Sequence, residues 1–337
     1  MPASIKDRNY SIDFFRIIFA LGVVAIHAHP FEDINETVNF IFVDVFSRLA
    51  VPFFFTVIGY YFTKRMDDGK PAKPYVLKLL RVYLVWSAVY GVFYFVIQVV
   101  SGAKISSVLS GLLRGLFFGV SEHLWFFPAL FMAIALFWCF CKLHMQKFIV
   151  IAGAVMYTVC VLSSAYSKLL FDIPFIELFC KIDYEYIRIL FVAFPYLSLG
   201  YLLKRTDNIK INNKKLFALL SVVFILYAAE KVIIEYNSFG RSYVNTFLLY
   251  FVVMLVVRLL LNNSMPVFRN VSAPCRNIAN FTYYAHPVFL EITRFLLPLL
   301  LKTEGCQTIS YVLTCILTVG VGYLVNKNGN KLKTFLM

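Results

Sequence analysis

Four short stretches place ionisable side chains inside otherwise apolar sequence. The first runs Ser11-Ile-Asp13-Phe-Phe-Arg16 and stays apolar as far as His27-Ala-His29-Pro30. At 100° per residue, Asp13, Arg16, Ala20 and His27 fall on one stripe of a helix whose other faces are apolar. Asp13 and Arg16, at i and i+3, can pair. His27 lies about 21 Å beyond Asp13 along the axis. A neutral imidazole of ordinary pKa, about 6.5, can take a proton at neutral pH. The stripe therefore suits a reactive histidine with a charged pair further along. It also suits a packing ion pair and an interfacial histidine with no chemistry to do. His29 precedes Pro30 and reads as a loop residue.

The second stretch is Lys73-Pro-Tyr-Val-Leu-Lys78-Leu-Leu-Arg81, where Lys78 and Arg81 share a face. Two cations there can hold a phosphate-bearing ligand or snorkel to lipid headgroups. The third is Glu122-His123-Leu-Trp125-Phe-Phe-Pro128. Trp125 suits an interfacial aromatic belt, and His123 and Glu122 should sit at the outer surface near the depth of His27. The fourth is Tyr283-Tyr284-Ala285-His286-Pro287, followed by Glu291 and Arg294 at i and i+3. His286 should lie near mid-membrane, beside a proline that frees a backbone carbonyl of the preceding turn. His123, Trp125, His286 and Glu291 are the candidates for lining a cavity.

The composition dictates what holds these residues. Of 337 residues, 61% are hydrophobic, 18% aromatic and 15% charged, and the mean hydropathy is +0.76. Soluble domains are about 45–50% apolar and about 25% charged, so a soluble fold is excluded. The chain reads as an all-α, polytopic membrane helix bundle. Spans of about 20 apolar residues fall at Ile12–Ala28, Val43–Phe62, Tyr75–Val99, Leu124–Phe140, Phe148–Ser164, Tyr186–Leu203, Leu216–Val232, Tyr243–Leu261, Ile278–Leu301 and Thr308–Val325. Ile105–Val120 is short, Gly-rich and holds Arg114, so it reads as re-entrant or interfacial. One transmembrane domain, 1–337, is expected, with no soluble domain.

With the N-terminus cytoplasmic, twenty basic residues fall in inside segments and seven outside, an asymmetry followed in every loop pair but the last. Both termini should be cytoplasmic. The same sorting accounts for the net charge of +14 through anionic inner-leaflet lipid rather than nucleic acid. Asp13 and Arg16 within the first apolar run argue against a cleaved signal peptide. Most of the seven cysteines sit in or beside spans as small apolar fillers. Cys180 and Cys306 fall in outside loops, where a disulfide between them is conceivable. Cys139-x-Cys141 lacks zinc spacing, no metal site is expected, and soluble-enzyme motifs such as G-x-x-x-x-G-K-[ST], H-E-x-x-H and G-x-S-x-G are absent.

Taken together these segments resemble the acyltransferase family 3 membrane proteins, bacterial enzymes that O-acylate cell-envelope glycans. SIDFFRIIFALGVVAIHAHPF, VPFFFTVIGYYF, KLLRVYLVW, HLWFFPALF, FPYLSLGYLLKR and FTYYAHPVF carry the resemblance from end to end. It implies an O-acyl, in particular O-acetyl, transfer from cytoplasmic acyl-CoA (acetyl-CoA) to a hydroxyl of an envelope glycan or similar small acceptor, in the bacterial plasma membrane. His27 matches the histidine that activates the acceptor hydroxyl, and Asp13 and Arg16 the pair on the same helix. Arg81 matches the second arginine of an R-x-x-R motif that holds the acyl-CoA phosphates. Lys78 stands at the first, keeping charge without the bidentate fork. Ile58 precedes Gly59 where many members have serine.

AVPFFF…GYYF followed by HLWFFPA is also similar to the membrane domain of the serine racemases of vancomycin-resistance operons, which is thought to handle L-serine. In those a soluble racemase domain follows the last helix. Here about twelve residues follow the last expected span, so racemase activity is not expected. An alternative is thus a transporter or binding module for a small polar molecule, with Asp13, Arg16 and His286 lining a midplane site. A third reading makes the polar residues glue between helices. Acceptor, acyl chain and oligomeric state are not readable from the sequence.

Overall fold

The structure, a computed structural model, describes residues 9–170, 173–181, 189–209, 211–240, 242, 244–302, 306–328 and 336–337. Among these there is no strand. The helices are α1 Tyr10–Ala28, α2 Glu36–Asp67, α3 Lys73–Val100, α4 Ile105–Phe118, α5 Glu122–Lys142, α6 Gln146–Ser164, α7 Pro174–Lys181, α8 Ala193–Arg205, α9 Asn213–Asn237, α10 Phe247–Asn262, α11 Ser272–Leu301 and α12 Gln307–Asn328. Eight of them (α1, α2, α3, α5, α6, α9, α11 and α12) are long and apolar enough to cross a membrane. With α8 and α10, shorter at 13 and 16 residues, ten helices run between two common ends.

Polar ties mark those ends. At one, the Asn9 amide donates to the carbonyls of Leu260 (2.8 Å) and Leu261 (3.2 Å), joining the start of α1 to the end of α10. Arg205 meets Asp67 at 2.9 Å, joining the ends of α8 and α2. Asn277 donates to Asn326 at 2.8 Å, joining α11 and α12. At the other end, Thr308 donates to Asp33 (2.8 Å) and the Lys168 amide to Phe239 (2.9 Å). The expected spans Tyr186–Leu203 and Tyr243–Leu261 begin outside the described residues, as do Lys6, Arg8, Arg188, Lys210, Arg241, Lys331 and Lys333 of the charge tally.

α2 begins seven residues before the expected edge. Asn35 caps it, accepting from the Val38 amide at 3.0 Å, and Asp44 is carried inside by pairing with Arg48 at 3.1 Å. Pro52 has no N–H to donate, and the turns before it are irregular: wide over Ile41–Phe46, then tight over Ser47–Leu49. The carbonyls this leaves open are met by side chains, with Ser47 donating to Phe42 (2.8 Å) and Tyr227 to Val45 (3.0 Å).

α2 packs most extensively on α8, at a glycine crossing. A Cβ on Gly59 would overlap the Leu197 carbonyl oxygen and stand 2.9 Å from its carbon. A Cβ on Gly200 would stand 2.5 Å from the Tyr60 nitrogen. Each helix therefore uses the other's missing side chain for backbone contact, the small-residue packing that suits lipid.

Two charges on α9, one half-buried and one buried, are structural. Both Glu230 oxygens accept amides at the start of α10, from Phe247 and Leu248 at 2.9 Å each, filling orphan donors of that helix. Tyr166 adds a third bond at 2.8 Å. Lys231, one of the seven basic residues counted with the outside segments, is instead fully buried and donates to the Val244 carbonyl at 3.0 Å. α9 runs five residues beyond the expected edge at Val232.

α4, the uncounted segment, folds back along α3. The Tyr83 hydroxyl donates to the Leu116 carbonyl at 2.8 Å, and Gly111 lies against the Tyr94 ring. Gly119, at φ 106°, turns the chain into α5 against the backbone of Leu124 and Trp125.

Candidate functional site

Three helices bring three histidines together: His27 from the last turn of α1, His123 from the start of α5 and His286 from the middle of α11. The His286 ring lies 5.2 Å from that of His27 and 5.3 Å from that of His123, centroid to centroid. His123 and His286 are buried and His27 is half-buried. The Tyr90 ring packs edge-on against His123 at 4.8 Å.

The backbone fixes how two of these rings carry their protons. His123 Nε2 lies 3.1 Å from the Tyr284 carbonyl and must donate, leaving Nδ1, 3.1 Å from the Ser121 hydroxyl, to accept. His286 Nδ1 lies 2.8 Å from the Tyr283 carbonyl and 3.2 Å from that of Thr282, so Nδ1 donates. Pro287 explains the shorter bond. In a regular helix residue 287 would supply the N–H for the residue 283 carbonyl; proline has none, and the imidazole of His286 takes its place. Nε2 of His286 is then a buried lone pair, with no hydrogen-bond partner among the described residues.

His27 sits where α1 ends. Its carbonyl, one of the orphans of a helix C-terminus, accepts from Arg294 of α11 at 2.7 Å. His29 closes the helix in the left-handed conformation, φ 50°, with its amide on Ala25 at 3.0 Å. The loop beyond is tied to α12, where the Thr308 hydroxyl donates to the Pro30 carbonyl.

His27 and His123 open onto a cavity of about 360 Å³. Its polar wall also includes His29, Arg48, Glu122, Trp125, Asn245 and Tyr283, and its apolar wall includes Val23, Ile26, Val51 and Pro52. That is room for a small substrate beside a base, with a cation and a carboxylate among the lining residues.

The other expected residues lie elsewhere. Asp13 and Arg16 pair at 3.9 Å in the opening turns of α1, roughly 21 and 16 Å below His27. Arg16 Nε there is buried with no hydrogen-bond partner among the described residues. His286 stands with His27, so the expected midplane grouping of Asp13, Arg16 and His286 does not form. Lys78 and Arg81 are exposed on the early turns of α3, at the same end as Asp13 and away from the cavity. Glu291 does not line the cavity: its side chain is 75% exposed and pairs with Arg294 at 3.5 Å. His123 is buried rather than at the outer surface, its ring packed between those of Tyr90 and His286. Cys180 and Cys306 do not form the disulfide.

Arg48, Tyr90 and Asn245 escaped the sequence reading, and His29, read there as a loop residue, lines the cavity. Arg48 reads as a charge at the edge of a span, and only the wide turn before Pro52 carries it to the cavity. Asp44 four residues earlier was the available signal.

Among the described residues, a helix bundle with a histidine-walled cavity at one end and exposed cations at the other defines a multi-pass membrane protein. The chain belongs to the acyltransferase family: residues 9–327 match the acyltransferase domain Acyl_transf_3. Its relatives include two amino-acid racemases of Enterococcus faecalis, one 28% identical over 230 residues (65% of this chain, 32% of the relative), the other 26% identical over 301 (85% and 42%). A serine/alanine racemase of Enterococcus gallinarum is 31% identical over 130 residues (36% and 18%). The chain thus spans less than half the length of these relatives. No solved structure matches.

Proposed function

We propose that the protein is a plasma-membrane O-acyltransferase that moves an acyl group, acetyl in the first instance, from cytoplasmic acyl-CoA to a hydroxyl of an envelope glycan or similar small acceptor. The observation that supports this best is His27, half-buried on the wall of a 360 Å³ cavity with its backbone held by Arg294. In this reading one ring nitrogen of His27 takes the acceptor's hydroxyl proton. The oxygen attacks the thioester carbonyl, the carbon–sulfur bond breaks, and the imidazolium returns the proton to the departing thiolate. Lys78 and Arg81 hold the donor's phosphates at the far end, and Asp13–Arg16, at that same end, shapes the channel from the inside.

A general base contributes about 10²–10⁴-fold. Transfer from labelled acetyl-CoA to envelope fractions, measured in proteoliposomes, should therefore be lost in His27→Ala and in His27→Gln, with detergent stability near wild type. An active His27→Gln enzyme would remove the general-base role.

A second reading is favoured by the names of the relatives together with Arg48 and Glu122 among the residues lining the cavity. Opposite charges there suit a zwitterion, so the cavity would bind or pass a small amino acid such as L-serine. Uptake of labelled L-serine by wild type, without acyl transfer to any envelope fraction, would select it.

A further inference from the structure

We propose that His286 is the positioning partner of His27: its Nε2 lone pair accepts the N–H of the His27 imidazole, so that the other His27 nitrogen faces the cavity as the base. The proposal rests on the acyl-transfer reading above.

The residues around the pair lead to it in order. Pro287 strips the Tyr283 carbonyl of its helical donor. His286 Nδ1 supplies the missing proton at 2.8 Å, with a weaker second bond to Thr282 at 3.2 Å. The ring is thereby held in one tautomer, and its lone pair is on Nε2. That atom is fully buried and has no hydrogen-bond partner among the described residues. A buried acceptor left unpaired is expensive, so the site calls for a donor. His27, at 5.2 Å between centroids and an interplanar angle of 39°, presents the nearer of two rings. Two imidazoles joined nitrogen to nitrogen at about 2.9 Å have close to this centroid separation, so a turn of the half-buried His27 ring closes the bond. His123, at 5.3 Å, cannot serve, because its Nε2–H is given to the Tyr284 carbonyl and its Nδ1 accepts from Ser121.

A base in acyl transfer needs its second nitrogen held so that the first points at the substrate, a task a carboxylate often performs. Here a neutral imidazole performs it. The resting pair carries no charge, which suits its burial. When His27 takes the acceptor's proton, the proton it already held stays on its other nitrogen, hydrogen-bonded to His286, and the pair bears one positive charge. The titratable and charged groups around the pair are His123 and Glu122 on α5, Tyr90 on α3, Arg48 on α2, His29 on α1 and Arg294 on α11.

The test compares His286→Gln, whose amide oxygen can accept from His27, with His286→Leu, which fills the space and accepts nothing. Two readouts are taken on purified protein in nanodiscs. One is acyl transfer from acetyl-CoA as a function of pH. The other needs no activity: the rate at which diethylpyrocarbonate modifies His27 as a function of pH, read by tandem mass spectrometry that separates His27 from His29. With the pair in place, His286→Leu should lower kcat by about 10–100-fold with the acetyl-CoA KM unchanged. It should also move the His27 modification midpoint down by on the order of one pH unit, because the charged form has lost its acceptor. His286→Gln should restore both toward wild type. Equal midpoints for Leu, Gln and wild type would overturn the proposal, and so would a Leu variant with wild-type kcat. If no acyl transfer is found in wild type, the acyl-transfer reading fails by itself, and the modification midpoints still decide whether His286 holds His27.

Discussion

Replacing Gly59 by alanine tests how the cavity wall is held. The added Cβ would lie 2.9 Å from the carbonyl carbon and Cα of Leu197 and would overlap the carbonyl oxygen outright. Ordinary contact requires that oxygen to retreat by on the order of 1 Å, and it belongs to the backbone of α8, which cannot yield locally in a close-packed interior. The helices must part along the crossing. The parting strains the bonds beyond it, where Tyr60 donates to Asp207 at 2.8 Å and Arg205 meets Asp67. Overpacking of this kind costs about 1–3 kcal/mol, and more where backbone meets backbone. Gly320→Ala on α12 is the matched control, since nothing lies within 4 Å of its added Cβ. In thermal unfolding of the solubilised protein, Gly59→Ala should melt several degrees below wild type, and Gly320→Ala should melt with it or slightly above. Equal melting of Gly59→Ala and wild type would refute the argument that backbone contact at this crossing holds α2 and α8 together.

Three further outcomes are expected. Arg81→Ala should raise the acyl-CoA concentration needed for half-maximal transfer without unfolding the protein, whereas Lys78→Arg should keep or improve activity; unchanged donor dependence in Arg81→Ala would leave both residues as lipid contacts. Glu230→Ala should destabilise the bundle by about 1–3 kcal/mol in denaturant titration, because two amides at the start of α10 and the Tyr166 hydroxyl lose their acceptor, and Glu230→Gln should recover only part of it. A reporter fused after Met337 should report cytoplasm and a cysteine placed between Glu32 and Glu36 should label from outside, while labelling of Lys70→Cys from outside in intact cells would reverse the orientation.

The apolar runs made the helices legible. A helix in lipid must satisfy its backbone internally, so length and hydropathy are enough to find α1, α3, α5, α6, α11 and α12 to within a few residues at most edges. α2 and α9 run further at both ends than expected, into polar turns such as Glu36–Phe40 and Ile233–Asn237 that hydropathy does not mark, and the partners that make their inner charges tolerable, Arg48 for Asp44 and the Val244 carbonyl for Lys231, lie partly on other segments. Helical spacing set His27 on a polar stripe, and the proline beside His286 signalled a free carbonyl. That the carbonyl would be taken by His286 itself, and that this ring would stand against His27 rather than with Asp13 and Arg16, depends on how α11 lies against α1. Spacing along a single helix carries no information about that. Glu291 misled for the same reason: its i+3 partner was readable, but the side of α11 that faces outward was not.

The ties on the tip of α1 divide the cavity into a fixed side and a pliable one. Arg294 grips the His27 carbonyl, and Thr308 grips Pro30. α1, α11 and α12 therefore hold the histidine side as one body. Across the cavity, Arg48, Val51 and Pro52 belong to α2, whose lower half is locked at the glycine crossing but whose upper part is the irregular stretch Ile41–Leu49. Wide and tight turns in succession can exchange hydrogen-bond partners at less cost than a regular helix. Widening the mouth for a bulkier molecule would thus fall on Arg48's side, with His27 staying where it is while the opposite wall shifts around the substrate.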